Sequence, residues 1–386
     1  MSMDVNGLRR SEFPWTLPGD AVFLNAASTG PLPQRAVDAL IEWARLRSTP
    51  HKLKDDFLFG TLARSRSLIA QLIHAHADEI ALATNTGYGI NLAARALPLA
   101  KGDVIVTPHR EFPANVYPWM GAAKARELRY RLVPAAAGER VEDVLIRALD
   151  DSDVKCVAVS WVDFLTGYRV DLEELGRACR ARGAYFVVDG IQGLGACELD
   201  LSHGLVDIFA CGAQKWLLSP WGSGFVYVRR DLVKQMEPSP VSWMAPKSTD
   251  DFRRLLDFDP TWRDDARRFE FVTLPFQDFA AMNASVELFL ELGPSKVAHH
   301  IASLVNGIVA WSERRSGVQL LTPSDAARRA GIVSLRPRDG QAVSDALRAA
   351  GVTHSLREGA VRLSPHVYNT TDDIRKALDV LSDASL

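Results

Sequence analysis

The feature that most constrains this chain is an alternation, from about residue 60 to residue 230, of short apolar runs with segments of helical period. DEIALAT (78–84), DVIVTP (103–108), ELRYRLVP (127–134), VKCVAVSW (154–161), AYFVVDG (184–190), VDIFACG (206–212) and SGFVYVRR (223–230) each read as a strand. GTLARSRSLIAQLIHAH (60–76), GINLAARAL (89–97), PANVYPWMGAAKA (113–125) and LEELGRACRARG (172–183) read as helices between them. Strand, helix, strand in that order is the unit that builds a parallel sheet, because a parallel neighbour needs a crossover long enough to hold a helix. The expected fold is therefore an α/β domain with an open sheet whose strand C-terminal ends carry the site.

Past about residue 275 the pattern changes to long helices, FAAMNASVELFLELG (279–293) and KVAHHIASLVNGIVAWSERR (296–315), followed by short strands and helices up to 383. The boundaries expected are 1–40 for an N-terminal segment packing on the smaller domain, 41–275 for the large α/β domain, and 276–386 for linking helices and a small C-terminal α+β domain. At 386 residues the chain is long enough for two or three domains.

A formal net charge of −2 gives no basic footprint, so nucleic acid is not an expected partner. No apolar run of 18 residues is present and the N-terminal MSMDVNGLRRSEFPW has no apolar core, so neither a membrane span nor a signal peptide is expected. Cys156, Cys179, Cys197 and Cys211 show no C-x-x-C spacing and read as reduced thiols in the cytoplasm. Histidines are scattered without metal-ligand spacing, so no metal is expected.

Four stretches at strand ends carry the chemistry. NTGYGINL (85–92) sets a Thr hydroxyl and free amides at a helix N-terminus, an anion cradle if it is more than an N-cap. VVDGIQGLG (187–195) ends an apolar strand on Asp189, a carboxylate that is expensive to bury unless paired. Facing a protonated ring nitrogen about 4 Å away, it would gain about 4 kcal/mol at an effective dielectric near 20. EFPANVYPW (111–119) offers Phe112 as a cover for a planar ring, and CGAQKW (211–216) offers Lys215. Each alone has a plainer reading as cap, core aromatic or solvated lysine. Together they are the parts that hold pyridoxal 5'-phosphate: a Schiff-base lysine, a pyridinium partner, a stacking aromatic and a phosphate cradle.

The order NTGYGINL, EFPANVYPW, VVDGIQGLG, CGAQKW resembles the class V aminotransferase family of fold-type I pyridoxal-phosphate enzymes, which includes cysteine desulfurases, kynureninases and isopenicillin N epimerase. The resemblance runs from NAASTGPLP (25–33) to VRLSPHVYNT (361–370). It implies a large domain with a mainly parallel seven-stranded sheet and a small α+β C-terminal domain. It implies that Lys215 is the catalytic, Schiff-base lysine, that Asp189 pairs with the pyridinium nitrogen, and that Gln192 and Asp163 lie near the phenolic oxygen. It further implies Phe112 as the stacking ring, with Thr86, Gly87 and Gln214 at the phosphate. Thr273, in RRFEFVTLP, matches a Thr that reaches the phosphate of the neighbouring subunit, which implies a homodimer with shared sites. On the substrate side it implies Arg362 for an α-carboxylate, with the Ala26 and Ala27 backbone and Asn115.

Two departures narrow the choice. No Cys follows Cys211, so the mobile nucleophilic Cys of the desulfurases has no counterpart, and Gly212 stands where they carry a phosphate-binding Ser. The expected reaction is therefore at Cα of an amino acid, aminotransferase- or epimerase-like, with a β-lyase or a non-catalytic paralogue as alternatives. A nicotinamide dehydrogenase is disfavoured, because WGSG (221–224) leads into a strand instead of opening a helix.

Overall fold

A computed structural model describes residues 3–19, 21–136 and 138–384. Seven strands form the central sheet: β1 (Ile80–Leu82), β2 (Val104–Pro108), β3 (Arg129–Val133), β4 (Val154–Ser160), β5 (Tyr185–Asp189), β6 (Ile208–Gly212) and β7 (Gly224–Val228). Their spatial order is β1-β7-β6-β5-β4-β2-β3, and every neighbouring pair is parallel except those made by β7, which runs antiparallel to both β1 and β6.

Alternation along the strands sends successive side chains to opposite faces, and both faces are apolar. Val104, Val106, Phe186, Val188, Phe209 and Cys211 join one buried cluster, whereas Ile105, Val187, Ile208 and Ala210 join the other. Helices on both sides are what make such two-faced strands stable. β3 differs for the same reason: it is the sheet edge, and its Arg129 and Arg131 are exposed, which blunts the edge against further pairing.

The C-terminal part holds a four-stranded antiparallel sheet of β8 (Val318–Leu320), β9 (Val333–Pro337), β10 (Ser355–Arg357) and β11 (Ala360–Leu363), in the order β10-β11-β9-β8. The N-terminal segment returns to it. Val22 and Phe23 pair in parallel with Val352 and Thr353, and Asn25 bridges to Ser364. The long helices Phe276–Leu292 and Pro294–Ser312 link the two parts.

The strand expectations hold to within two or three residues at each end. The helix expected at 60–76 runs earlier, Asp55–Leu72, because Asp55 and Asp56 favour its first turn. The one expected at 113–125 splits into a short 3-10 turn, Pro113–Asn115, and the helix Tyr117–Arg126. Helices Gln34–Arg47 and Val141–Ala148 lie in stretches for which the period suggested no element. Among the tryptophans, Trp161 and Trp216 are buried, while Trp221 and Trp243 are exposed. Among the described residues no helix is long and apolar enough to cross a membrane.

Candidate active site

The C-terminal ends of β4, β5 and β6 lie side by side, with Ser160 opposite Asp189 and Asp189 opposite Ala210. Above them is a cavity of about 290 Å³ lined by Asn85, Thr86, Gly87, Phe112, Ala114, Ser160, Val162, Phe164, Asp189, Ile191, Gln192, Gln214 and Lys215. Eight of the residues singled out by sequence thus meet or border one space: Thr86, Gly87, Phe112, Asp189, Gln192, Gln214 and Lys215 line it, and Gly212 underlies it.

The anion cradle is built by the helix Thr86–Ala96. Asn85 caps it, accepting from the Tyr88 amide at 2.9 Å, so the Thr86 and Gly87 amides head the helix with no acceptor of their own in it. Thr86 Oγ1 accepts from the Gly212 amide at 2.8 Å, which ties the cradle to the end of β6 and leaves the hydroxyl proton free to donate. A Cβ on Gly212 would stand 2.5 Å from Gln214 Oε1 and 3.3 Å from the Thr86 amide nitrogen. The space of the missing side chain is therefore taken by the Gln214 amide, whose buried Oε1 has no partner. The Tyr88 hydroxyl donates to the Phe269 carbonyl and fixes the helix from behind.

Across the cavity, Lys215 Nζ lies 5.8 Å from the centre of the Phe112 ring. Burial lowers the Lys215 amine to about 8, with Asp189 opposing the shift and Arg362 adding to it. Burial likewise raises Asp189 to about 6, against the Ile191 amide, which donates to Oδ1 at 3.1 Å, and against Lys215. A buried amine and a buried carboxylate each lacking a close ionic partner are the observations that fit a bound cationic ring and an aldehyde.

Arg362 is 2% exposed. It donates to the Phe164 carbonyl at 2.7 Å and to Ser28 Oγ at 2.9 Å, while its buried Nε has no partner. Burial, aided by Arg357, lowers it to about 10, although Asp163 opposes this. The Ala26 and Ala27 amides donate to Ser364, and the Ala27 carbonyl accepts from Gln192 Nε2 at 3.0 Å. The 25–30 stretch is pressed tightly onto the lysine loop: a Cβ on Gly30 would lie 2.2 Å from the Lys215 carbonyl oxygen.

Three expected members sit elsewhere. Asn115 is fully buried, donating to Glu111 and accepting from the Trp119 indole at 3.0 Å, so its amide is consumed inside the fold and does not line the cavity. Asp163 caps its own turn, accepting from the Leu165 and Thr166 amides and the Thr166 hydroxyl, and lines a neighbouring cavity instead. Thr273 is exposed and does not line the cavity.

Three residues join the site that sequence reading passed over. Phe164 sets its ring edge to Phe112, with centres 5.3 Å apart. Ser160 lines the wall beside Asp189, and its amide and hydroxyl both donate to Glu111, at 2.8 and 2.6 Å. His366, fully buried, contacts the Trp216 carbonyl through Nε2 at 3.0 Å and stacks on the Trp216 indole, holding the lysine loop against the C-terminal part. The only signals available were position: Ser160 ends a strand, Phe164 follows it in SWVDFLTGY, and His366 follows Arg362 in VRLSPHVYNT.

The aminotransferase class-V family matches residues 22–376 of this chain. A protein described as a probable cysteine desulfurase from Methanothermobacter thermautotrophicus is 28% identical, covering 94% of each chain. The isopenicillin N epimerase of Streptomyces clavuligerus is 29% identical, covering 93% of this chain and 94% of its own. Among solved structures, the cystine C–S lyase C-DES in complex with cysteine persulfide superposes with a TM-score of 0.88 at 22% identity, over 97% of this chain and 100% of that one.

Proposed function

This chain belongs to the aminotransferase class-V family, and on that premise we propose that the cavity at Lys215 is its active site, with Arg362 receiving a substrate carboxylate. The protein is a pyridoxal-phosphate-dependent enzyme acting on amino-acid substrates. The observation that carries the site assignment is the convergence of a buried, unpaired Lys215 amine with Asp189 and the free helix N-terminus at Thr86 in one cavity.

Pyridoxal phosphate supplies an aldehyde that captures amines and a ring that withdraws electrons from the carbon next to the captured nitrogen. Thr86, with the Thr86 and Gly87 amides, would hold its phosphate, Phe112 would cover its ring, and Asp189 would hold a proton at the ring nitrogen. Lys215 would anchor the group through its amine and would serve as the base that takes the proton from Cα; an amine lowered to about 8 is suited to both tasks. Arg362 orients the substrate through its carboxylate.

For the step after proton removal we favour transfer of the amino group or reprotonation at Cα. Two features support this: the chain has no Cys after Cys211, and β10 and β11 are joined by the tight Glu358–Gly359 turn, with φ of 47° and 75°, leaving no loop for a nucleophile. A β-elimination is the second reading, favoured by the relatives described as probable cysteine desulfurases.

We further assign a homodimer, supported by the exposed Thr273 and by the apolar surface of Trp243, Leu256 and Phe258, the last two 84% and 87% exposed. The four unpaired, buried cysteines favour a reducing compartment, the cytoplasm.

The test is the Lys215→Ala variant with a panel of amino acids. Loss of turnover, and loss of the lysine adduct that borohydride traps in the parent protein, is expected. A reduced adduct mapped to another lysine would overturn the assignment. In the parent protein, the appearance of pyridoxamine, of the opposite enantiomer or of pyruvate distinguishes the three reactions.

A further inference from the structure

A half-buried carboxyl, Glu111, stands beside the cavity. Glu111 precedes the ring-covering Phe112 in sequence and accepts three hydrogen bonds: from the Ser160 amide at 2.8 Å, the Ser160 hydroxyl at 2.6 Å and Asn115 Nδ2 at 3.1 Å. Asn115 in turn accepts from the Trp119 indole, buried in the core, at 3.0 Å. A chain of hydrogen bonds therefore runs from the core, through Glu111, to a side chain on the cavity wall. That side chain, Ser160, pairs across the sheet with Asp189, and the Trp161 amide donates to the Asp189 carbonyl at 2.9 Å.

A hydroxyl has one proton and two lone pairs. With the Ser160 proton committed to Glu111, Ser160 can face the cavity only as an acceptor. We propose that Glu111 is a positioning residue: it fixes Ser160 as a hydrogen-bond acceptor next to Asp189, so that this wall of the cavity presents acceptors to the cofactor ring and no competing donor to the Asp189 carboxylate. In Glu111→Gln the backbone Ser160 amide must keep an acceptor, so Oε1 stays there and Nε2 takes the place of the oxygen that accepted from Ser160 Oγ; Nε2 can only donate, which reverses that hydrogen bond and turns the serine proton towards the cavity.

Supporting this, burial raises the Glu111 carboxyl to about 7, with Asp189 adding to the shift and the bonds from Ser160 and Asn115 opposing it. The other titratable neighbour is Tyr130 on β3, whose hydroxyl is paired with Thr107 at 2.6 Å; His109, Arg110 and Asp163 share with Glu111 and Ser160 the adjoining cavity of about 380 Å³.

This role presupposes the pyridoxal-phosphate site proposed above. The experiment is a double-mutant cycle at pH 8 on the full-length protein, with Glu111→Gln, Ser160→Ala and the pair. It reads the Kd for pyridoxal phosphate by fluorescence titration of the apo-protein and the wavelength of the bound cofactor's visible band. Glu111→Gln is expected to raise Kd roughly threefold to tenfold, the size of one ordinary hydrogen bond, and to move the band. In the Ser160→Ala background the same change is expected to have less than about a twofold effect. An unchanged Kd and band in a Glu111→Gln protein of parental thermal midpoint overturns the proposal, as does an equal loss in both backgrounds. If Glu111→Gln does not fold, Ser160→Ala alone decides, since parental Kd and band there would overturn it. A parent protein that binds no pyridoxal phosphate would instead refute the reading of the site.

Discussion

Arg362 spends one guanidinium nitrogen on the Phe164 carbonyl, at 2.7 Å, and the Phe164 ring lines the cavity that holds Lys215. One contact thus links the residue proposed to receive the substrate's carboxylate to a wall of the cavity proposed for the cofactor. The second nitrogen reaches Ser28 on the N-terminal segment, so two separate stretches of chain converge on Arg362.

Arg362→Ala should raise KM for amino acids by roughly tenfold to a hundredfold, the range for a charged hydrogen bond, with a smaller change in kcat. Arg362→Lys should recover little, because an ammonium cannot reproduce the planar fork. Steady-state kinetics on one amino acid and on its decarboxylated amine check this. The amine should be indifferent to the substitution.

The lowered Lys215 amine predicts the pH dependence of cofactor capture. At pH 7 a group near 8 has roughly 300 times the free-base fraction of one at the ordinary 10.5. Stopped-flow mixing of apo-protein with pyridoxal phosphate should show a rate that rises with pH and levels off above about 8. A rise continuing through pH 10 would contradict it.

Asp189 should make the apo-protein less stable as pH rises. Its folded-state affinity for a proton is raised, from 3.8 to about 6, so its favourable contribution is complete below pH 4 and is lost as pH rises through 6. Denaturant titrations of parent and Asp189→Asn should diverge over that window by on the order of 2 kcal/mol, the parent losing stability relative to the variant. Comparing the two proteins cancels the titrating groups that do not sense Asp189, among them His366, lowered to about 3 by burial.

Gly190 follows Asp189 at the end of β5. A Cβ there would lie 1.9 Å from the Phe209 ring, which is fully buried on β6. Gly190→Ala should cost about 1–3 kcal/mol in urea denaturation, the usual penalty of overpacking, and weaken cofactor binding by displacing Asp189.

If Thr273 serves the partner's site, two inactive proteins should rescue each other. Lys215→Ala and Thr273→Ala subunits, mixed and allowed to exchange, should form heterodimers with one intact site. Activity should approach a quarter of the parental value, since about half the dimers are mixed and each carries one working site of two. No recovery after exchange has been verified would refute a shared site.

How much of this was legible in sequence follows from range. The strands of the central sheet are written locally, as apolar β-branched runs, and so are the Asn85 cap and the placing of Asp189 and Lys215 just past strand ends. The four stretches together then pointed to the cofactor, and the family resemblance to the role of each residue. Side-chain direction was not legible. Asn115 and Asp163 stand in the expected motifs, yet the Asn115 amide is taken by Glu111 and Trp119 and Asp163 Oδ1 by the 165–166 turn, choices made by neighbours that only the fold supplies.

The sequence by itself determined the α/β alternation, the order of the motifs and the residue types able to bind a phosphate, a ring nitrogen and an aldehyde, because these depend on local period and chemistry. Tertiary structure alone decided that Ser160 stands beside Asp189, that Gln214 fills the space at Gly212, and that Arg362 is held by Phe164 and Ser28. Those are contacts between residues 2 to 334 positions apart, and they shift Lys215 and Asp189 through burial, a property no single stretch of chain possesses.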